Sequence, residues 1–94
     1  MAATKPHLTI LGGGLAGLSV GYFARRRGYP FTIYEAGDRP GGNCVTHRHG
    51  AFRFDSGAHR FHDKDAAMTG ELQRLLGADL ARLDRPSLLY DRNR

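Results

Sequence analysis

Gly12-Gly13-Gly14-Leu15-Ala16-Gly17 fits G-x-G-x-x-G, and the acid Glu35 follows Gly12 by 23 residues. Those residue types at that spacing suit the pyrophosphate and ribose of a dinucleotide. Gly12 permits a sharp turn, Gly14 lets a phosphate approach backbone that carries no Cβ, and Gly17 lets a helix pack close to a sheet. Gly13, Leu15 and Ala16 complete the turn, and the helix that starts there offers free N–H groups and a positive dipole end. Glu35 is placed to accept from ribose hydroxyls. A second pair, Gly41-Gly42, comes six residues after that acid and can bring more backbone N–H groups to the same pyrophosphate, with Arg39 adding a cation. A glycine-rich turn that merely packs well leaves three consecutive glycines unexplained, since each costs conformational entropy.

These groups need elements to hold them. The apolar run Leu8–Leu11 predicts a short buried strand, and Phe31–Glu35 a second strand closed by its acid. Between them the pattern predicts a helix from about Gly14 to Arg27. Leu15, Leu18 and Tyr22 share one face, widened by Ala16, Val20, Phe23 and Ala24, so the helix must lie against a sheet. Arg25, Arg26 and Arg27 crowd its last turn, where cations suit the dipole, and Gly28 stops it.

Further along, 36–43 reads as a loop by composition. Val45–Arg48 and Ala51–Phe54 alternate as a β-hairpin with His49-Gly50 at its turn. Asp65 is a natural N-cap for a last helix whose stripe of Met68, Leu72, Leu75 and Leu76 reads as core packing, and Gly77 ends it. Leu88–Tyr90 suggests one more strand after the break at Pro86. His7, His47 and His49 read as ordinary surface or edge residues. His59 and His62 stand three apart with no evident third ligand, so no metal site is expected.

Bulk properties narrow the classes. Ninety-four residues allow one domain, and a 40% apolar fraction suits a globular chain. Fourteen Lys and Arg against nine acids leave +5, spread as +3 over residues 1–47 and +2 over 48–94. Such dispersed charge argues against a nucleic-acid partner, which would want a concentrated basic face. One cysteine, Cys44, excludes an internal disulfide and a cysteine zinc cluster, and points to a reducing compartment. The polar lead-in Met1–Pro6 is no signal peptide. Ile10–Ala24 holds five glycines and is too short for a transmembrane segment. The expected place is therefore cytoplasmic, with peripheral membrane attachment of a longer parent left open.

Gly12–Gly17, Glu35, Arg39 and Gly41-Gly42 together resemble the FAD-binding start of the flavin amine oxidase, protoporphyrinogen oxidase and phytoene desaturase superfamily. There a double glycine follows the second strand; many members carry Arg next, where this chain has Asn43. Phe54-Asp55-Ser56-Gly57-Ala58-His59-Arg60-Phe61 is similar to the protoporphyrinogen oxidase-like branch. Gly41-Gly42-Asn43 and His59-Arg60-Phe61-His62 also look like UDP-galactopyranose mutase, in which reduced flavin attacks a sugar with no net oxidation. The resemblance implies FAD as cofactor, with His59 near the flavin ring and two-electron transfer from an organic substrate. An NAD-binding module is the competing expectation, disfavoured by Gly41-Gly42, and a non-functional fragment is another.

The fold expected is α/β, a Rossmann-like βαβ dinucleotide-binding start with an incomplete doubly wound parallel sheet, a β-hairpin and a C-terminal helix. A doubly wound sheet needs several parallel strands, and this chain supplies two. Residues 1–94 are thus expected to be the N-terminal FAD-binding segment of a larger flavoprotein.

Overall fold

Leu8–Leu11 (β1) and Phe31–Tyr34 (β2) pair in parallel, with Leu8 beside Phe31 and Ile10 beside Ile33. The crossover between them contains helix α1, Leu15–Arg26, which makes a βαβ unit. The computed structural model describes residues 4–57, 61–82, 84 and 91. It forms two units, Met1–Arg60 and Phe61–Arg94. The strand foreseen at Leu88–Tyr90 lies outside the described residues.

Strand side chains alternate between faces, so Leu8, Ile10, Phe31 and Ile33 share the face that meets α1. Contact is close. A Cβ built on Gly21 would lie 2.9 Å from Phe31 Cε2 and 3.3 Å from Ile33 Cδ1. This closeness corrects the expected helix face. The buried positions of α1 are Gly21 and Ala24, whereas Leu15, Leu18 and Val20 are exposed. Only small residues fit where the helix backbone approaches the sheet, and the larger apolar side chains stand off to the sides. On the opposite sheet face Leu11 is 83% exposed and Tyr34 60%. Ile10 and Ala24 are the buried apolar residues among those described.

Helix α1 begins with Gly14 as N-cap and ends with Arg27 as C-cap, one residue inside each expected limit. Gly28, at φ 74°, follows as the left-handed stop. The arginine run packs on aromatic rings: Arg26 lies 5.7 Å from the Tyr22 centroid and Arg27 5.8 Å from that of Phe23.

The hairpin forms, shifted by one residue. Thr46–His49 (β3) and Phe52–Asp55 (β4) pair antiparallel, leaving Gly50-Ala51 rather than His49-Gly50 at the turn. Two-residue hairpin loops favour a positive φ at their first position, and Gly50 takes it at 60°. The slip sets His47 opposite Phe54, their rings stacked at 5.4 Å between centroids, and Thr46 Oγ1 donates to Asp55 Oδ1 at 2.7 Å.

In the second unit Ala66–Leu76 forms α2, followed by a short 3₁₀ turn at Gly77–Asp79. Asp65 caps α2 as expected: its Oδ1 accepts from the Ala67 and Met68 amides at 3.0 and 3.2 Å. The stripe foreseen as core packing does not become core. No residue of α2 is buried, and Met68, Leu75 and Leu76 are exposed. Among the described residues of the unit, one helix and one turn give that stripe nothing to close against. Asp65→Ala is expected to cost about 1 kcal/mol of helix stability, through the loss of two acceptor contacts at the cap. Faster hydrogen exchange at the Ala67 and Met68 amides, with the first unit unchanged, is the signature to measure. Among the described residues, no helix is long and apolar enough to cross a membrane.

Candidate functional site

The chain leaves β1 through Gly12, at φ 98°, whose N–H donates to Tyr34 O at 2.7 Å. That bond ties the turn after β1 to the end of β2 and so brings Glu35 to the turn. Glu35 Oε1 accepts from the Gly13 N–H at 2.8 Å, and Oε2 from the Gly37 N–H at 2.7 Å. One carboxylate therefore clasps the glycine turn on one side and its own loop on the other.

The second glycine turn packs against the first. Gly41 N–H donates to Gly13 O at 2.8 Å, and Cys44 N–H closes the turn on Gly41 O at 3.0 Å. Gly42 sits at φ 58°, and a Cβ there would lie 3.0 Å from Gly14 Cα. Gly17 is held tighter still, since an added Cβ would fall 1.9 Å from Gly12 O. Gly14 differs. Its φ of −75° is ordinary, and a Cβ on it would make only ordinary contact, at 3.8 Å from Gly42 Cα. The packing of the fold itself does not require glycine at 14.

No side chain caps α1, and no acid occupies its first turn. The first amides of a helix have no intrahelical acceptor, so those of Leu15 and Ala16 stand at the positive end with their hydrogen-bonding capacity available to an anion. Beside Glu35 opens a cleft of about 320 Å³, bordered by Glu35, Asp38, Arg39, Gly42, Asn43 and His47 among others. Gly12–Gly14, Gly17, Glu35, Arg39, Gly41 and Gly42 thus occupy one region of the first unit. Asp38, which the sequence reading did not single out, borders the cleft, and so does His47, exposed in β3 as its reading as a surface or edge residue expects. His59 lies outside the described residues, and His62 belongs to the second unit.

Residues 10–78 match the NAD(P)-binding Rossmann-like domain. The chain belongs to that family. Over 42 residues the chain is 45% identical to the L-amino-acid oxidase of Daboia russelii, and the match covers 45% of the chain and 8% of the oxidase. The L-amino-acid oxidase of Vipera ammodytes ammodytes is 40% identical over 42 residues, 45% of the chain and 9% of the oxidase. A methylenetetrahydrofolate–tRNA-(uracil-5-)-methyltransferase of Symbiobacterium thermophilum is 43% identical over 49 residues, 52% of the chain and 10% of that enzyme. Among solved structures, the CLA-producing fatty acid isomerase from P. acnes superposes with a TM-score of 0.67 at 26% identity, over 94% of the chain and 20% of the isomerase. The chain thus spans a tenth or less of the curated relatives' length. The two L-amino-acid oxidases and the isomerase support the likeness of the Rossmann-like domain to the FAD-dependent amine oxidase-like superfamily.

The Gly37 amide, and after it the Gly13 amide, hold the Glu35 carboxyl below its usual range, against a smaller opposing effect of desolvation. A depressed carboxyl stabilises the folded form above its unfolded value, and that contribution is lost as pH falls through the folded value. The clasp should therefore persist through the ordinary glutamate range and release only in stronger acid. In an NMR acid titration, the Gly13 and Gly37 amide shifts are expected to move together, in one transition below that range. Independent transitions would mean that Glu35 does not bridge the two loops.

Proposed function

We propose that this chain is the FAD-binding N-terminal segment of a longer flavin-dependent oxidoreductase, of the amine oxidase or protoporphyrinogen oxidase-like kind. The observation that carries this reading is the second glycine turn: Gly41 bonds to Gly13 O, and Gly42 lies against Gly14. Two turns of bare backbone beside one helix N-terminus suit a pyrophosphate held from two sides. Gly13, Gly14, Leu15 and Ala16 would bind it through their amides, with Gly41 and Gly42 opposite and Arg39 adding charge. Glu35 would hold the adenosine ribose, since each of its oxygens accepts one backbone bond and keeps capacity for a hydroxyl.

FAD would supply two-electron redox chemistry, and the residues of this segment would bind and orient it. The relatives' names support that division of labour. An oxidase, an isomerase and a methyltransferase share this stretch, so it serves the cofactor, while the substrate is chosen elsewhere in a longer chain. The exposed, unpaired Cys44 fits a reducing compartment such as the cytoplasm.

The test is a visible spectrum of the purified full chain, incubated with FAD and then desalted. Retained absorbance near about 450 nm, the free-flavin band, is the expected result. A colourless folded protein would overturn the reading and turn attention to NAD.

A further inference from the structure

The cleft beside Glu35 is bordered by Asp38 and Arg39 from the loop after β2, by Asn43 from the second glycine turn, and by His47 and Ser56 from the hairpin and its end. No residue of the first glycine turn, Gly12–Ala16, borders it, whereas Gly42 and Arg39, also assigned to the pyrophosphate, do. A ligand whose ribose rests on Glu35 and whose phosphates rest on those glycines would leave this space to its other end, the base.

His47 is placed to meet that base. Its ring is stacked on Phe54 across the hairpin, with 28° between the planes, and the residue borders the cleft. The Phe54 stack limits the ring's freedom, so a planar surface is already ordered before any ligand arrives. A heterocycle gains stacking energy on such a surface with little entropy left to lose. Asp38 and Asn43 around the same cleft offer acceptors and donors to the edge of a purine, while Arg39 serves the phosphates.

Accordingly we propose that the His47–Phe54 stack is a recognition wall for the adenine of the bound dinucleotide. The proposal rests on the cofactor reading given above, and it adds a residue that the glycine motif does not contain. A bland role is also defined: the stack would only hold the hairpin together.

His47→Val separates the two roles, because valine keeps a strand former and removes the ring. The full chain and its variants are titrated with FAD and with ADP, which has the adenosine half and no flavin. His47→Val is expected to weaken both ligands by about tenfold, the scale of one lost base–aromatic stack, while His47→Phe keeps both affinities close to those of the parent. Unchanged affinities in His47→Val would overturn the proposal. So would a loss confined to FAD, which would put His47 on the flavin side. If His47→Val loses protection of the Thr46–His49 amides, Phe54→Leu is read in its place; it leaves His47 present with its ring unpinned, and an equal fall for both ligands is again expected. A parent chain that binds neither ligand would overturn the cofactor reading itself, whereas binding that needs Glu35 and ignores His47 would overturn this inference alone.

Discussion

Gly17→Ala is expected to damage the site more than any other single methyl group. Its Cβ would sit 1.9 Å from Gly12 O, a backbone atom that cannot rotate away. Either the first turn of α1 must lift from β1, or the glycine turn must open. Both responses break the same assembly, because the Gly12 amide bonds to Tyr34 O and the Gly13 amide bonds to Glu35. Overpacking a tight site costs about 1–3 kcal/mol, and this contact belongs at the upper end or beyond. Gly21→Ala is the internal control. There the nearest atom, at 2.9 Å, is the rim of the Phe31 ring, a side chain that can shift, so a loss of about 1 kcal/mol is expected. Urea unfolding gives both values, and FAD titration should show no saturation for Gly17→Ala. Equal costs at 17 and 21 would mean that the Gly12 carbonyl is freer to move than its place between two hydrogen-bonded turns implies.

Glu35→Gln carries the second large effect, and it falls on binding rather than on folding. The side chain is exposed, so the fold should survive. The carboxylate accepts two backbone N–H bonds through two oxygens; an amide can accept through one, and its NH₂ group then faces a donor. Either Gly13 or Gly37 loses its partner, and the ribose loses a charged acceptor. FAD affinity is expected to fall roughly tenfold to a hundredfold, the scale of lost hydrogen bonds to a charged group. Glu35→Asp should fall between, since its shorter stem keeps the charge and cannot reach both amides. Parent-like affinity in Glu35→Gln would remove Glu35 from the cofactor site.

The site was more legible in the sequence than the packing was. Gly12, Gly14, Gly17 and Glu35 declare themselves by spacing, which puts them at one strand–helix junction, and at Gly12 and Gly17 the backbone itself also demands glycine. The second turn was legible for the same reason, though not its bond from Gly41 to Gly13. Helix α1 was misread at its buried face. Hydrophobicity pointed to Leu15, Leu18 and Tyr22 and rightly included Ala24, but the close approach to the sheet is made at Gly21, where small size decides. The hairpin register turned on a single glycine: Gly50 takes the first turn position, and every cross-strand pair shifts with it. That shift made the His47–Phe54 stack, which periodicity could not show. Nor could the apolar stripe of α2 reveal that none of its residues is buried.

On the proposed reading, the paired glycine turns and Glu35 recognise the adenosine-diphosphate half of a dinucleotide. Parallel equilibrium titrations of the full chain with FAD and with FMN test it most directly. FMN carries the flavin and lacks the adenosine half. Saturable FAD binding that ADP displaces, with no saturation by FMN, is the expected result. Equal binding of FMN and FAD, or FAD binding that ADP fails to displace, would contradict it.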